Sequence, residues 1–108
     1  MDARGAVEAA LFSAAENLRL SQIAEKTGLP LVMHGGSGVT PDDYRKGIRN
    51  GLRKINYYTY MSREGTIAVR EMLAQKEITF FHYLALAAQK AMEADAEKAM
   101  RVFAGMTE

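Results

Sequence analysis

The residues best placed to do chemistry are His34-Gly35-Gly36-Ser37-Gly38, which follow the apolar run Leu29-Pro30-Leu31-Val32-Met33. Glycines let a backbone approach an anion closely and adopt positive φ. Successive N–H groups with a helix start behind them make a cradle for phosphate. Ser37 adds a hydroxyl donor, and His34 offers a neutral imidazole nitrogen to a metal ion. The same composition also serves purely structural turns, and a lone histidine at a strand end is commonly just hydrogen-bonded. A second stretch, Lys54-Ile55-Asn56-Tyr57-Tyr58-Thr59, supplies an amide that both donates and accepts, with a hydroxyl and backbone amides suited to phosphate. At the ends of two adjacent parallel strands, both stretches would open on the C-terminal edge, where α/β folds bind ligands.

The elements that must position them follow from periodicity and stop signals. Ala3 to Ala15 has good helix formers and an apolar side with Val7, Leu11 and Phe12, and Leu20, Ile23 and Ala24 continue the pattern. Gly28 supplies a helix stop and Pro30 cannot extend one. Leu29 to Met33, continuously apolar, predicts a short strand buried on both faces. Thr40-Pro41-Asp42-Asp43 predicts a helix start: a capping hydroxyl, a proline at the first position and two acids at the positive dipole end. Tyr44 and Ile48 share its face, and Asn50-Gly51 ends it.

Leu52 to Tyr58 predicts the second strand, rich in Ile and Tyr. Ser62 is the expected cap of the next helix, which buries Ile67, Val69, Met72 and Leu73. A longer helix is expected from about Thr79 to Phe103, with Phe80, Leu84, Ala87, Ala91, Ala99, Met100 and Phe103 at helical spacing. Strands alternating with helices imply parallel pairing and an α/β class.

Composition excludes several functions. Fourteen Lys and Arg against thirteen Asp and Glu leave a formal charge of +1. That balance lacks the basic excess of a nucleic-acid binder. Without cysteine there is no disulfide, thiolate ligand or cysteine nucleophile. The Leu29–Met33 run is far short of the roughly 20 residues that cross a bilayer. Met1-Asp2-Ala3-Arg4-Gly5 lacks the profile of a signal peptide, so a soluble, cytoplasmic protein is expected.

Leu29-Pro30-Leu31-Val32-Met33-His34-Gly35-Gly36-Ser37-Gly38 resembles the G-(L/V)-P-L-V-L-H-G-G-S-G segment of class II ketose-bisphosphate aldolases. Lys54-Ile55-Asn56 and Thr59 are similar to that family's R-K-(I/V)-N-x-x-T segment, in the same order and at matching distance. The resemblance runs from about Asn17 to Phe103. It implies the last two βα units of a TIM barrel followed by C-terminal helices: an unmatched helix over 1–16, the phosphate-loop units over 17–60, and the helices over 61–108. It implies that His34 is a zinc ligand, that Gly35, Gly36 and Ser37 hold one phosphate, and that Asn56 touches the substrate near the reacting carbons. Thr59 is then the second phosphate contact, with Tyr57 and Tyr58 in the same binding stretch. The family reaction is zinc-dependent, reversible cleavage of fructose or tagatose 1,6-bisphosphate to dihydroxyacetone phosphate and glyceraldehyde 3-phosphate.

The departures from that pattern matter equally. Tyr60 stands where the family has an acid, and the stretch Arg4-Gly5-Ala6-Val7-Glu8-Ala9 carries no histidine where a further zinc ligand is expected. The catalytic aspartate and the remaining ligand belong to earlier strands of a barrel that needs about 250 residues. His82, in the C-terminal helical region, is expected to be a surface or packing residue. The isolated chain is therefore expected to be inactive, with phosphorylated ketose or triose phosphate as ligand and either a homo-oligomer or the missing barrel portion as partner. A Met-bearing helix with Met92, Met100 and Phe103 is the expected contact. A non-catalytic sugar-phosphate or anion-binding module, or a helical association module, is the alternative.

Overall fold

The computed structural model describes residues 16–34 and 39–106. The helix expected over Ala3–Ala15, and the loop residues Gly35, Gly36, Ser37 and Gly38, lie outside the described residues. The described elements run α1 (Glu16–Thr27), β1 (Leu31–His34), α2 (Pro41–Arg49), β2 (Leu52–Asn56), α3 (Thr59–Gln75) and α4 (Phe81–Phe103). The order is the one the periodicity predicts. Two compact units divide the chain, one of residues 1–57 with 102–108 and one of residues 58–101.

In the first unit, β1 and β2 pair in parallel as a two-stranded sheet. Gly28 ends α1 at φ +64°, its N–H donating to the Ala24 carbonyl at 2.9 Å. α2 begins on a full capping box. The Asp43 N–H donates to Thr40 Oγ1 at 3.2 Å, and the Thr40 N–H and hydroxyl both donate to Asp43 Oδ2. At the far end, Gly51 turns at φ +118° with its α-carbon against Ala24, where an added Cβ would sit 2.7 Å from the Ala24 methyl. Leu20, Leu31, Met33, Tyr44, Leu52 and Val102 form the core. Each fully buried Leu or Met side chain contributes about 1.5–3 kcal/mol of transfer free energy. Phe103, from the last turn of α4, seals this core with its ring edge-on to Tyr44 at 4.9 Å.

Three expectations for these strands change. β1 spans Leu31–His34, and only Leu31 and Met33 are buried, because Val32 points to the half-covered face of the pleat and Leu29 is exposed. β2 ends at Asn56, two residues before Tyr58, since α3 starts immediately afterwards. Between Leu31–Leu52 and Val32–Lys54 the register shifts by one residue, with Arg53 as the extra residue on β2. The Arg53 guanidinium holds this irregularity, donating from Nη1 to the carbonyls of Leu52 and Ile48, each at 2.8 Å.

The second unit contains α3 and most of α4. The cap position of α3 is Tyr58, whose side chain makes no capping hydrogen bond, and Ser62 lies inside the helix with its N–H on the Tyr58 carbonyl. Ser62 is thus one turn too late to cap, the helix having begun as soon as the chain left β2. Gly65 is buried because α4 passes close by: an added Cβ would lie 2.9 Å from Met92 Sδ. α4 begins at Phe81, two residues after the expected Thr79, leaving Phe80 exposed together with Phe81, Tyr83 and Leu86. Leu73, expected on the buried side of α3, is exposed as well, and so is Met100, named as an expected contact residue. No described helix is long and apolar enough to cross a membrane.

Candidate functional site

His34 is the last residue of β1 and Asn56 the last of β2, and the sheet register sets them opposite one another. In a parallel pair, opposed residues point to the same face. The Asn56 side-chain amide donates from Nδ2 to His34 Nδ1 at 3.2 Å. The register irregularity at Arg53 decides this pairing. Continued without it from Leu31–Leu52, the ladder would set His34 against Ile55, on the pleat face opposite to Asn56. The two stretches therefore meet at His34 and Asn56. His34 is exposed and Asn56 half-buried, so both lie where a ligand could reach them.

The remaining predicted residues divide. Tyr57 stands between β2 and α3, and its ring is edge-on to Phe103 at 5.9 Å, a packing contact within the first unit. Tyr58 is 67% exposed at the cap position of α3. Thr59 opens α3 and is exposed. The first turn of α3 has neither a side-chain cap nor an acidic residue, so nothing of its own neutralises its positive dipole end. Tyr60, where an acid was expected, lies under the Arg63 guanidinium, 4.8 Å from ring centre to Cζ. His82 is exposed, beside Tyr83 at 4.1 Å and stacked with Phe80 at 6.0 Å, as a surface residue would be. Arg53 was missed as a positioning residue. Its one signal is that it sits in the Arg-Lys-Ile-Asn run immediately before Asn56.

The donor set can be weighed against a metal. Catalytic zinc takes about three protein ligands and an open position. Among the described residues no group of three or more His, Cys, Asp or Glu side chains converges. One imidazole whose Nδ1 already accepts an amide does not by itself fit a zinc site.

Comparison with known proteins bears on this arrangement. The family model described as "Fructose-bisphosphate aldolase class-II" matches residues 5–107, beginning upstream of Asn17. A probable fructose-bisphosphate aldolase of Bacillus subtilis is 46% identical over 57 residues, which is 53% of this chain and 20% of that protein. The fructose-bisphosphate aldolase of Geobacillus stearothermophilus is 41% identical over 56 residues, 52% of this chain and 20% of that protein. The crystal structure of the YdjI aldolase from Escherichia coli K12 is similar with a TM-score of 0.69 at 28% identity, covering 78% of this chain and 31% of that one. The matched region thus spans about a fifth of these curated relatives' length.

Proposed function

The chain belongs to the class-II fructose-bisphosphate aldolase family, and from that premise we propose that it is the phosphate-binding, C-terminal portion of such an enzyme, catalytically silent until the rest of the barrel is supplied. In this reading β1 and β2 are the last two strands of a TIM barrel, and α3 and α4 are its C-terminal helices. The loop of Gly35, Gly36 and Ser37 and the start of α3 at Thr59 hold the phosphates of fructose or tagatose 1,6-bisphosphate. Asn56 positions the substrate near the bond that breaks. His34 is one zinc ligand of a site whose others come from outside this chain. Bound zinc would supply Lewis-acid polarisation of the ketone carbonyl. Location in the cytoplasm belongs to the same reading, as does assembly with a second copy or with the missing barrel portion.

The observation that carries this reading is the opposition of His34 and Asn56 at the carboxyl ends of two parallel strands, joined at 3.2 Å. Each belongs to one of the two family motifs, and both lie at the strand edge where barrels bind substrate. The test is complementation. The Bacillus subtilis relative, truncated before the region matching this chain, is mixed with the 108-residue chain and zinc, and triose-phosphate release is followed. The chain alone should show no chelator-sensitive cleavage, and the mixture should exceed the truncated enzyme at least about tenfold. Absence of any gain, in an assay where the relative's own C-terminal piece restores activity, would overturn the proposal.

A second reading, anion binding without catalysis, is favoured by the first turn of α3, which carries neither cap nor acid. In that case inorganic phosphate would shift the amides of Gly35 to Ser37 and of Thr59 while complementation fails.

A further inference from the structure

The two faces of the sheet carry different residues. Leu31, Met33 and Leu52 point into the core with Leu20, Tyr44 and Val102 from the helices, and Ile55 packs against them. The other face takes the alternate residues, Val32 opposite Lys54 and then His34 opposite Asn56. On it Lys54 and His34 are exposed, and Val32 and Asn56 half-buried. Among the described residues Lys54 has no ion-pair partner, whereas Arg45, Arg63 and Arg101 each have one. Parallel strands are normally covered on both faces, and the inner face of a barrel is packed with side chains from the facing strands. The region matched here spans 20% of the aldolase relatives, so most of the chain that would cover this face lies outside it. Whatever covers the face takes the Lys54 ammonium out of water. An unpaired buried ammonium is among the costliest groups a protein can hold, and a well-placed carboxylate offsets that cost. A ligand phosphate is less well placed to do so, because Lys54 lies two residues before the end of β2, about 7 Å below the strand edge.

We propose that Lys54 is the point at which this chain recognises the barrel portion it lacks: that portion covers the Val32–Lys54 face and sets an Asp or Glu carboxylate against the Lys54 ammonium. The register irregularity at Arg53 makes the pairing specific. It places Lys54 beside Val32, while Ile55 stays with Met33 on the core face. Without it Lys54 would fall opposite Met33, against the core. The pairing rests on the barrel reading given above and adds the chemistry of the surface that completes the barrel.

Amine acylation, read at each lysine by mass spectrometry, tests it on the 108-residue chain with and without the truncated Bacillus subtilis relative. In the chain alone Lys54 should react as readily as Lys46, which is exposed on α2. With saturating partner, Lys54 should slow at least about tenfold while Lys46 keeps its rate. Lys54→Met keeps the stem and loses the charge, leaving the partner's carboxylate buried and unpaired. It should raise the concentration needed for complementation about a hundredfold or more, and Lys54→Arg should recover most of that loss. Both variants should melt like wild type, since Lys54 is exposed in the chain alone. Complementation by wild type with Lys54 still as reactive as Lys46 overturns the proposal and leaves the barrel reading standing. Undiminished complementation by Lys54→Met does the same. Protection of Lys54 by inorganic phosphate alone, or by concentrating the chain alone, overturns it in favour of a soluble anion or a second copy. A wild-type chain that fails to complement, where the relative's own C-terminal piece succeeds, sinks both.

Discussion

His34 shows how much a single side chain can be asked to do and how little stability it then carries. It is exposed, and its ring meets the Asn56 side chain at 3.2 Å at the carboxyl end of β1. Exposed hydrogen bonds exchange readily with water, and surface substitutions usually fall within about 0.5 kcal/mol. Thermal melts of His34→Ala should accordingly lie within a few degrees of wild type. A loss of 2 kcal/mol or more, roughly the cost of orphaning a buried partner, would show that the ring is structural and remove the basis for its role at a ligand site. The same exposure argument separates Tyr57 from Tyr58. Tyr57 has its ring against Phe103, so its loss would be felt in packing, whereas Tyr58 projects from the start of α3.

At the scale of elements, the turn between α2 and β2 decides where Asn56 arrives. Gly51 combines φ +118° with a 2.7 Å approach to the Ala24 methyl. A side chain there would meet both the backbone penalty of positive φ and a collision with α1. Gly51→Ala should destabilise the chain by about 1–3 kcal/mol, read as a lower denaturation midpoint with an unchanged slope. A neutral result would mean that α1 and the turn yield without cost, and that the register at Arg53 is not held from this side. By contrast, Gly28, also at positive φ, has open space around its α-carbon, so only the backbone term applies. The capping box of α2 was legible in Thr40-Pro41-Asp42-Asp43 because caps are local: every partner lies within four residues. The start of α3 was not legible, because it is set by where β2 leaves the sheet rather than by a capping side chain.

For the whole molecule, the exposed apolar surface is the dominant fact. Phe80, Phe81, Tyr83, Leu86, Leu73 and Met100 are each at least half exposed, all within the second unit. Met92 and Phe103, expected from the sequence to meet a partner, have neighbours of their own: Met92 lies against Gly65, and Phe103 against Tyr44 and Tyr57. The expected partner surface therefore shifts toward the start of α4. Exposed apolar side chains favour association when they gather on one face, and among the described residues the sheet has only two strands. Sedimentation at rising concentration should show a dimer or larger species, and Phe81→Asp should move it toward monomer. A single monomer mass at every concentration would count against self-association and leave only a different chain as the partner.

The sequence by itself determined the element order, the parallel α/β pattern, the capping of α2, the two glycine stops and the two motifs that identify the family. Each of these depends on neighbours a few residues apart, or on residue types whose chemistry is the same in any setting. Only the tertiary structure decided that Asn56, and not Ile55, faces His34. That pairing rests on one extra residue in β2, held by the Arg53 guanidinium on the carbonyls of Ile48 and Leu52. A register shift of one residue reverses which side chains share a face, and it leaves no periodic trace in a five-residue strand. The exposure of Leu73 and Phe80 was hidden for a related reason: helical spacing marks an apolar face, but which part of it is covered depends on what packs there.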